Sequence, residues 1–268
     1  MARRPVALLT DFGLRDPFVG ICHGVILRED PAIAIIDLTH GVARQDIRAG
    51  AVALADSVSF LPDDAVVVGV VDPGVGSGRR AVVVEAADGM VFVGPDNGLL
   101  TAAISLRGGA QSAFEISRSP WRLEPVSETF HGRDIFAPVA ARIAAGAAIV
   151  ECGFAIDPAE LVPLELPEAS VIDGDLTTAV LAIDQFGNAR LAAGPSDLDP
   201  IEFGEVIEIC AGDIRCRATY ARTYADAEDG EPLLIADSTG SLSISISGGD
   251  AAAALRLEPD SVVRILRL

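Results

Sequence analysis

The sequence predicts an α/β domain, a mostly parallel sheet flanked by helices, followed by a smaller all-β domain. Three observations predict it. Short apolar, β-branched runs alternate with segments of helical periodicity up to about Pro163. Acidic residues follow these runs, at Asp11, Asp37, Asp72 and Asp96. Beyond Pro163 the helical spacing disappears, and short strands separated by Gly, Asp and Pro turns take its place. The boundary falls after residue 164, giving an α/β domain over 1–164 and a β domain over 165–268.

Val6–Asp11 reads as a buried strand ending in a carboxylate. Asp16-Pro17 starts a helix, with Asp16 as its cap, and Phe18, Ile21, Cys22, Val25 and Ile26 recur on one face. Ala32–Asp37 is a second strand, followed by a helix from Asp46 to Phe60. Val66–Val71 is a third, with no polar alternation, as in a central strand covered on both sides. Asp72 is the first polar side chain at its end, and the loop DPGVGSGRR then returns Arg79 and Arg80 towards that carboxylate. Ala81–Glu85 and Met90–Val93 form a hairpin around Asp88-Gly89, and Gly94–Asn97 starts a helix through Leu106. His131 precedes an alanine-rich helix, Ile135–Ala145, that Pro138 interrupts. His23, inside a helix, and His40, beside a turn, read as structural. In the second domain, strands are read at 177–183, 206–210, 216–220, 233–235, 242–246 and 262–266, in a barrel or a sandwich.

Composition narrows the chemistry. Half of the 268 residues are hydrophobic, enough for a sizeable core. All 20 Lys+Arg residues are arginine, which excludes Schiff-base lysines and lysine-bearing phosphate loops. A formal net charge of −19 opposes both nucleic acid and anionic membranes, so a small molecule is the expected partner. No apolar run is long enough to span a bilayer and Met1–Pro5 lacks a secretory h-region, which together predict a cytoplasmic protein. Cys22, Cys152, Cys210 and Cys216 lack metal or redox spacing; Cys210 and Cys216 sit where a short hairpin would let them face each other. A metal site drawn from Asp11, Asp72, His40 and His131 lacks any close ligand pair, so no metal and no cofactor is expected. Four carboxylates at strand ends predict a crevice at the carboxyl edge of the sheet, where such folds bind ligands.

LLTDFG, DPGVGSGRR, GPDNGLL, FHGRDIFAPVAA and IDQFGN together resemble the S-adenosyl-L-methionine (SAM) hydroxide adenosyltransferase family, relatives of the SAM-dependent fluorinase and chlorinase. The resemblance spans nearly the whole chain and implies an α/β domain followed by a β-barrel. It implies cleavage of SAM by water into adenosine and L-methionine, with Asp72, Arg79 and His131 preparing the water. It also places Asp11 on the ribose hydroxyls, Asp184 on the methionine ammonium, Asn188 on an amide edge, Ser238 in a further ligand segment and the backbone of Ile246 on adenine. At Ser243 the family usually carries Glu, so one ammonium partner differs here. The resemblance further implies a homotrimer, with each site between one subunit's first domain and its neighbour's barrel. A catalytically silent adenosine- or SAM-binding protein and a SAM-dependent halogenase are the alternatives.

Overall fold

The computed structural model describes residues 3–198 and 201–268. The chain divides into two compact units, Met1–Leu164 and Glu165–Leu268. The first contains a seven-stranded sheet in the order β2-β1-β3-β5-β4-β6-β7. Its strands are β1 (Val6–Thr10), β2 (Ile35–Thr39), β3 (Val66–Val70), β4 (Ala81–Ala86), β5 (Val91–Pro95), β6 (Ala110–Glu115) and β7 (Phe154–Ile156). β2, β1, β3 and β5 run parallel, while β4, β6 and β7 add antiparallel pairings.

β1 and β3 are buried throughout because both faces are covered. Val6 and Leu8 join Val66 and Val68 beneath helices α1 (Phe18–Glu29) and α4 (Ala137–Ala144). Ala7, Leu9 and Val67 face the opposite way, into the layer of α2 (Ile47–Val58) and α3 (Thr101–Leu106). This alternation of faces explains why neither strand shows polar residues at every second position. β2 lies at the sheet edge and is only partly covered, and its assigned strand begins later than the apolar run suggests. Asp37 therefore sits inside β2 rather than beyond it.

Two predicted helix features take a different form. Pro17, not Asp16, occupies the N-cap position of α1, with no side-chain cap bond; a Pro at the start supplies φ without needing a donor. Pro138 does not interrupt a helix. It sits in the first turn of α4, directly after a π-helical turn at Gly132–Phe136. Pro138 has no N–H for the Asp134 carbonyl, which accepts the Leu123 N–H at 2.8 Å instead.

The second unit closes on itself. Its strands are β8 (Ser170–Ile172), β9 (Asp175–Ile183), β10 (Ala189–Leu191), β11 (Val206–Ala211), β12 (Ile214–Ala221), β13 (Pro232–Ala236), β14 (Leu242–Ile246) and β15 (Val262–Arg267). The order β10-β14-β13-β12-β11-β15-β9-β8, with β9 also pairing to β10, closes β9 to β15 into a seven-stranded barrel with β8 attached outside. Closure removes the edges a sandwich would keep and settles the choice between those two forms. Helix α5 (Ala251–Leu255), absent from the sequence reading, joins the barrel core through Ala251, Ala252 and Leu255. Cys210 pairs in register with Arg215, and Cys216 with Ile209. Neighbouring rungs of a ladder face opposite sides, so the two thiols do not face each other; all four cysteines are free.

The glycine loop after β3 is held by its contacts. Gly76 has φ +76°, and a Cβ there would fall on the carbonyl oxygen of Glu128, in the loop that leads to His131. That approach brings the two loops together. Gly76→Ala is expected to destabilise the protein by about 1–3 kcal/mol through strain at this backbone conformation, read as a lower urea midpoint with unchanged m. Asp46 caps α2 by accepting the Ala49 N–H at 2.9 Å. Asp46→Ala is expected to cost about 1 kcal/mol in the same measurement.

Candidate active site

β1 connects through α1 to β2 on one side and onward through α2 to β3 on the other. The chain thus reverses its direction of winding between β1 and β3, and ligands of open α/β sheets bind outside the strand ends at such a point. Asp11 follows β1 and Asp72 follows β3, one residue beyond Val71. The Asp11 N–H reaches the Val70 carbonyl at 3.4 Å, continuing the pairing of the two strands past their carboxyl ends.

Asp72, Arg79 and His131 form one hydrogen-bonded chain. Arg79 Nε donates to Asp72 Oδ1 at 2.9 Å and to Oδ2 at 3.0 Å. Its NH2 group closes the fork on Asp72 Oδ2 and also donates to His131 Nδ1 at 2.8 Å. The Asp72 and Arg79 side chains are only 5% and 11% exposed, so water screens this pair weakly. The Arg79 guanidinium lies 5.4 Å above the Phe136 ring, which sets its plane. Asp72 thereby fixes Arg79, and Arg79 fixes the imidazole.

The contact assigns the histidine's tautomer. A guanidinium only donates, so His131 Nδ1 accepts and the neutral ring carries its proton on Nε2. Burial, then the charge of Arg79, push the His131 pKa below its ordinary 6.5. His131 is therefore neutral at pH 7 and presents an Nε2–H donor. The π-helical turn holds it in place: His131 is its N-cap, and the Ala137 N–H bonds back to the Gly132 carbonyl. Gly132 passes under Phe12, whose ring edge would lie 3.0 Å from a Cβ added there. Phe12, Phe18 and Phe130 pack edge to face around this point, with centroids 5.3–6.1 Å apart.

Asp134 was not singled out by the sequence reading, although it lies within FHGRDIF. It is 1% exposed and accepts from Arg133 Nε at 2.6 Å, Arg133 NH2 at 2.8 Å and the Ser127 N–H at 2.8 Å. These bonds anchor the loop that carries His131. A buried acid next to an Arg was the available signal, but nothing local distinguishes it from a surface pair.

The other strand-end carboxylates serve different purposes. Asp11 Oδ2 accepts the Gln45 N–H at 2.8 Å, tying β1's end to the turn before α2. Asp96 pairs with Arg80 at 2.7 Å and accepts the Val162 N–H at 2.8 Å, a structural clamp at the end of β5. Asp37 meets His23 and His40 instead of the crevice. Burial raises its pKa, but hydrogen bonds from His40 and His23 outweigh this and hold it below the usual carboxylate range.

In the barrel, Asp184 and Asn188 face each other across one loop. Asp184 Oδ1 accepts the N–H groups of Phe186 and Asn188 at 2.8 and 2.9 Å, and Oδ2 accepts Asn188 Nδ2 at 2.8 Å. β10 runs antiparallel to β14, with Ala189 opposite Ile244, so this loop lies at the Ile246 end of β14. Ser238 is exposed at the other end, in a turn capped by Asp237, which accepts from Thr239 and Ser241. Ser243 lies within the strand and is 3% exposed. The barrel thus brings Asp184, Asn188 and Ile246 to one end and separates Ser238 from them.

Residues 6–153 match the SAM hydroxide adenosyltransferase N-terminal domain, and residues 178–264 match the C-terminal domain of the same family. A protein of Salinispora tropica named (R)-S-adenosyl-L-methionine hydrolase is 44% identical over 266 residues, covering 99% of both chains. A fluorinase of Actinopolyspora mzabensis is more distant, 27% identical over 99% of this chain and 98% of its own. An uncharacterized conserved protein of Thermotoga maritima has a solved structure that superposes with a TM-score of 0.93 at 32% identity, over 98% of this chain and 100% of that one. With both domains matched in order and the fold shared, this chain belongs to the SAM hydroxide adenosyltransferase family.

Proposed function

We propose that this protein hydrolyses S-adenosyl-L-methionine to adenosine and L-methionine, with water attacking the ribose 5′ carbon. The observation that carries this reading is the hydrogen-bonded Asp72–Arg79–His131 chain, with Asp72 just beyond the end of β3, where the winding of the sheet reverses. It stands in a family member 44% identical to a protein named as a SAM hydrolase.

The chemistry fits these side chains. Water oxygen bonds to C5′ as the C5′–S bond breaks, the bonding pair passes to sulfur, and one water proton passes to bulk solvent. The leaving group is a neutral thioether expelled from a sulfonium, so it needs no acid and, in this scheme, no metal or cofactor. The demand falls on the nucleophile. His131 Nε2–H holds the water by donating to one lone pair and leaves the other to attack. Arg79, a fixed positive charge beside it, favours hydroxide character as the proton leaves. Asp72 does not take the proton; both its oxygens are engaged by Arg79, which it holds in plane. Proton loss through His131 would require the ring to release Arg79, whereas donation would not.

In the same reading Asp11 binds the ribose hydroxyls as a two-oxygen acceptor. Asp184 meets the methionine ammonium, Asn188 an amide edge, and the backbone of Ile246 the adenine, with Ser238 and Ser243 in the surrounding ligand segments. Asp184 and Asn188 already bond each other, so a ligand there inherits an ordered loop. Ser243 supplies a hydroxyl where the family usually has a carboxylate, which shifts recognition of the ammonium onto Asp184. We further propose a homotrimer in which the barrel of a neighbouring copy completes each site. No helix among the described residues is long and apolar enough to cross a membrane. The free state of all four cysteines supports work in the reducing cytoplasm.

The deciding experiment is incubation of purified protein with SAM in ¹⁸O-labelled water. Label in the adenosine 5′ hydroxyl, with methionine released in step, is expected. Intact SAM alongside measurable adenosine binding would leave a binding protein, and a halide-dependent 5′-halo-adenosine would leave a halogenase. His131→Ala and Arg79→Ala are each expected to lower kcat by about 10²-fold or more while KM changes little. Protonating His131 would set a second cation beside Arg79, so the acid limb of kcat/KM is expected below pH 6.5, with activity retained above it; a limb at or above pH 7 would contradict the site as described.

A further inference from the structure

His23, Asp37 and His40 come from three separate segments, α1, β2 and the turn after β2. They converge on one point. His23 Nε2 and His40 Nε2 each lie 2.9 Å from the same oxygen, Asp37 Oδ1. One ligand atom from each residue falls within 4.8 Å of the other two, the one such group of His, Cys, Asp or Glu among the described residues. We propose that these three side chains bind a divalent transition cation of the zinc type, at a site separate from Asp72, Arg79 and His131.

Two imidazoles and one carboxylate suit Zn²⁺, and also Co²⁺ or Ni²⁺, in preference to Mg²⁺ or Ca²⁺, which favour oxygen ligands. Bonds of about 2.0–2.2 Å in a tetrahedral shell place donor atoms roughly 3.3 Å apart. The two 2.9 Å contacts would open by a few tenths of an ångström to admit the ion, while the two imidazole nitrogens, within 4.8 Å of each other, would settle at the same spacing. Without an ion, each imidazole must aim an Nε2–H at a single carboxylate oxygen; a cation takes the place of both protons and leaves three lone pairs converging on it.

The surroundings fit this use. His40 is 3% exposed, and its Nδ1 lies 2.9 Å from Thr10 Oγ1, itself fixed by the Phe12 N–H at 3.2 Å. With Nε2 on a metal, the remaining ring proton sits on Nδ1 and donates to that hydroxyl, the outer-shell bond that orients metal-bound histidines. Asp37, 44% exposed, faces solvent and gives an entry route, and three protein ligands leave the fourth position for water. The His40 carbonyl accepts the Gly13 N–H at 2.7 Å, so a bound ion would tie α1 and β2 to the loop that carries Asp11.

The full chain, stripped with chelator and dialysed, would be titrated with Zn²⁺ by calorimetry and loaded in parallel with Co²⁺. One equivalent per chain is expected, with affinity at least about 100-fold weaker in His23→Gln and in Asp37→Asn. Both residues are solvent-accessible, and folding of each variant is checked by circular dichroism; His40 is avoided because its burial makes a variant prone to unfold. The Co²⁺ protein is expected to show visible d–d bands without thiolate-to-cobalt charge transfer, which separates this site from the four free cysteines. Absence of stoichiometric binding to the wild-type chain, affinity unchanged in both variants, or a thiolate band would overturn the proposal.

Discussion

The Arg79 guanidinium, forked between Asp72 and His131, is the contact on which the rest of the first unit depends. It gives a carboxylate whose side chain is only 5% exposed a cationic hydrogen-bonding partner in place of the water it has lost. It also dictates which nitrogen of His131 carries the proton. Each neighbouring feature serves to keep the fork in register. β3 delivers Asp72, the glycine loop turns Arg79 back, and Gly76 lets that loop close against Glu128. The π-helical turn and Asp134 hold the histidine from the other side.

The two arginines at the end of the glycine loop show how neighbouring residues are given separate tasks. Arg79 faces Asp72 and His131, whereas Arg80 joins Asp96 and Glu160 in a clamp on the last strand of the parallel run. Asn97 Nδ2 donates to the Val71 carbonyl at 2.9 Å, one residue before Asp72. The strand end that presents Asp72 is therefore fixed by side chains from β5's exit as well as by the sheet.

Much of this was legible in the sequence because it is local. Val66–Val71 had no polar alternation, so a central strand followed, and DPGVGSGRR showed where it stopped. The hairpin at Asp88-Gly89 and the helix starting at Asp46 rest on turn and cap chemistry that short segments carry within themselves. What was missed depends on distant partners. β6 and β7 lack a strong apolar pattern and exist because β4 leaves an edge to pair with. The π-helical turn needs Leu123 to take the carbonyl that Pro138 cannot serve. His23 and His40 read singly as structural, since neither helix face nor turn announces that both aim at Asp37. The strand-end carboxylates share one pattern in sequence, where Asp37 and Asp96 each read singly as a turn or cap residue, and the third dimension shows what Asp96 holds, a clamp with Arg80 and the Val162 N–H.

The hydrogen-bonded chain through Arg79 dictates the protonation pattern of one ring, and ¹⁵N NMR of the ring nitrogens observes it directly. The chain has three histidines, so ¹⁵N-histidine labelling with a His131→Ala reference assigns the signals without ambiguity. At pH 7 the expected spectrum shows a His131 Nδ1 resonance of an unprotonated acceptor and an Nε2 resonance coupled to hydrogen. A ring protonated at Nδ1, in either the other neutral tautomer or the imidazolium, would contradict the Arg79 contact and the role for His131 built on it.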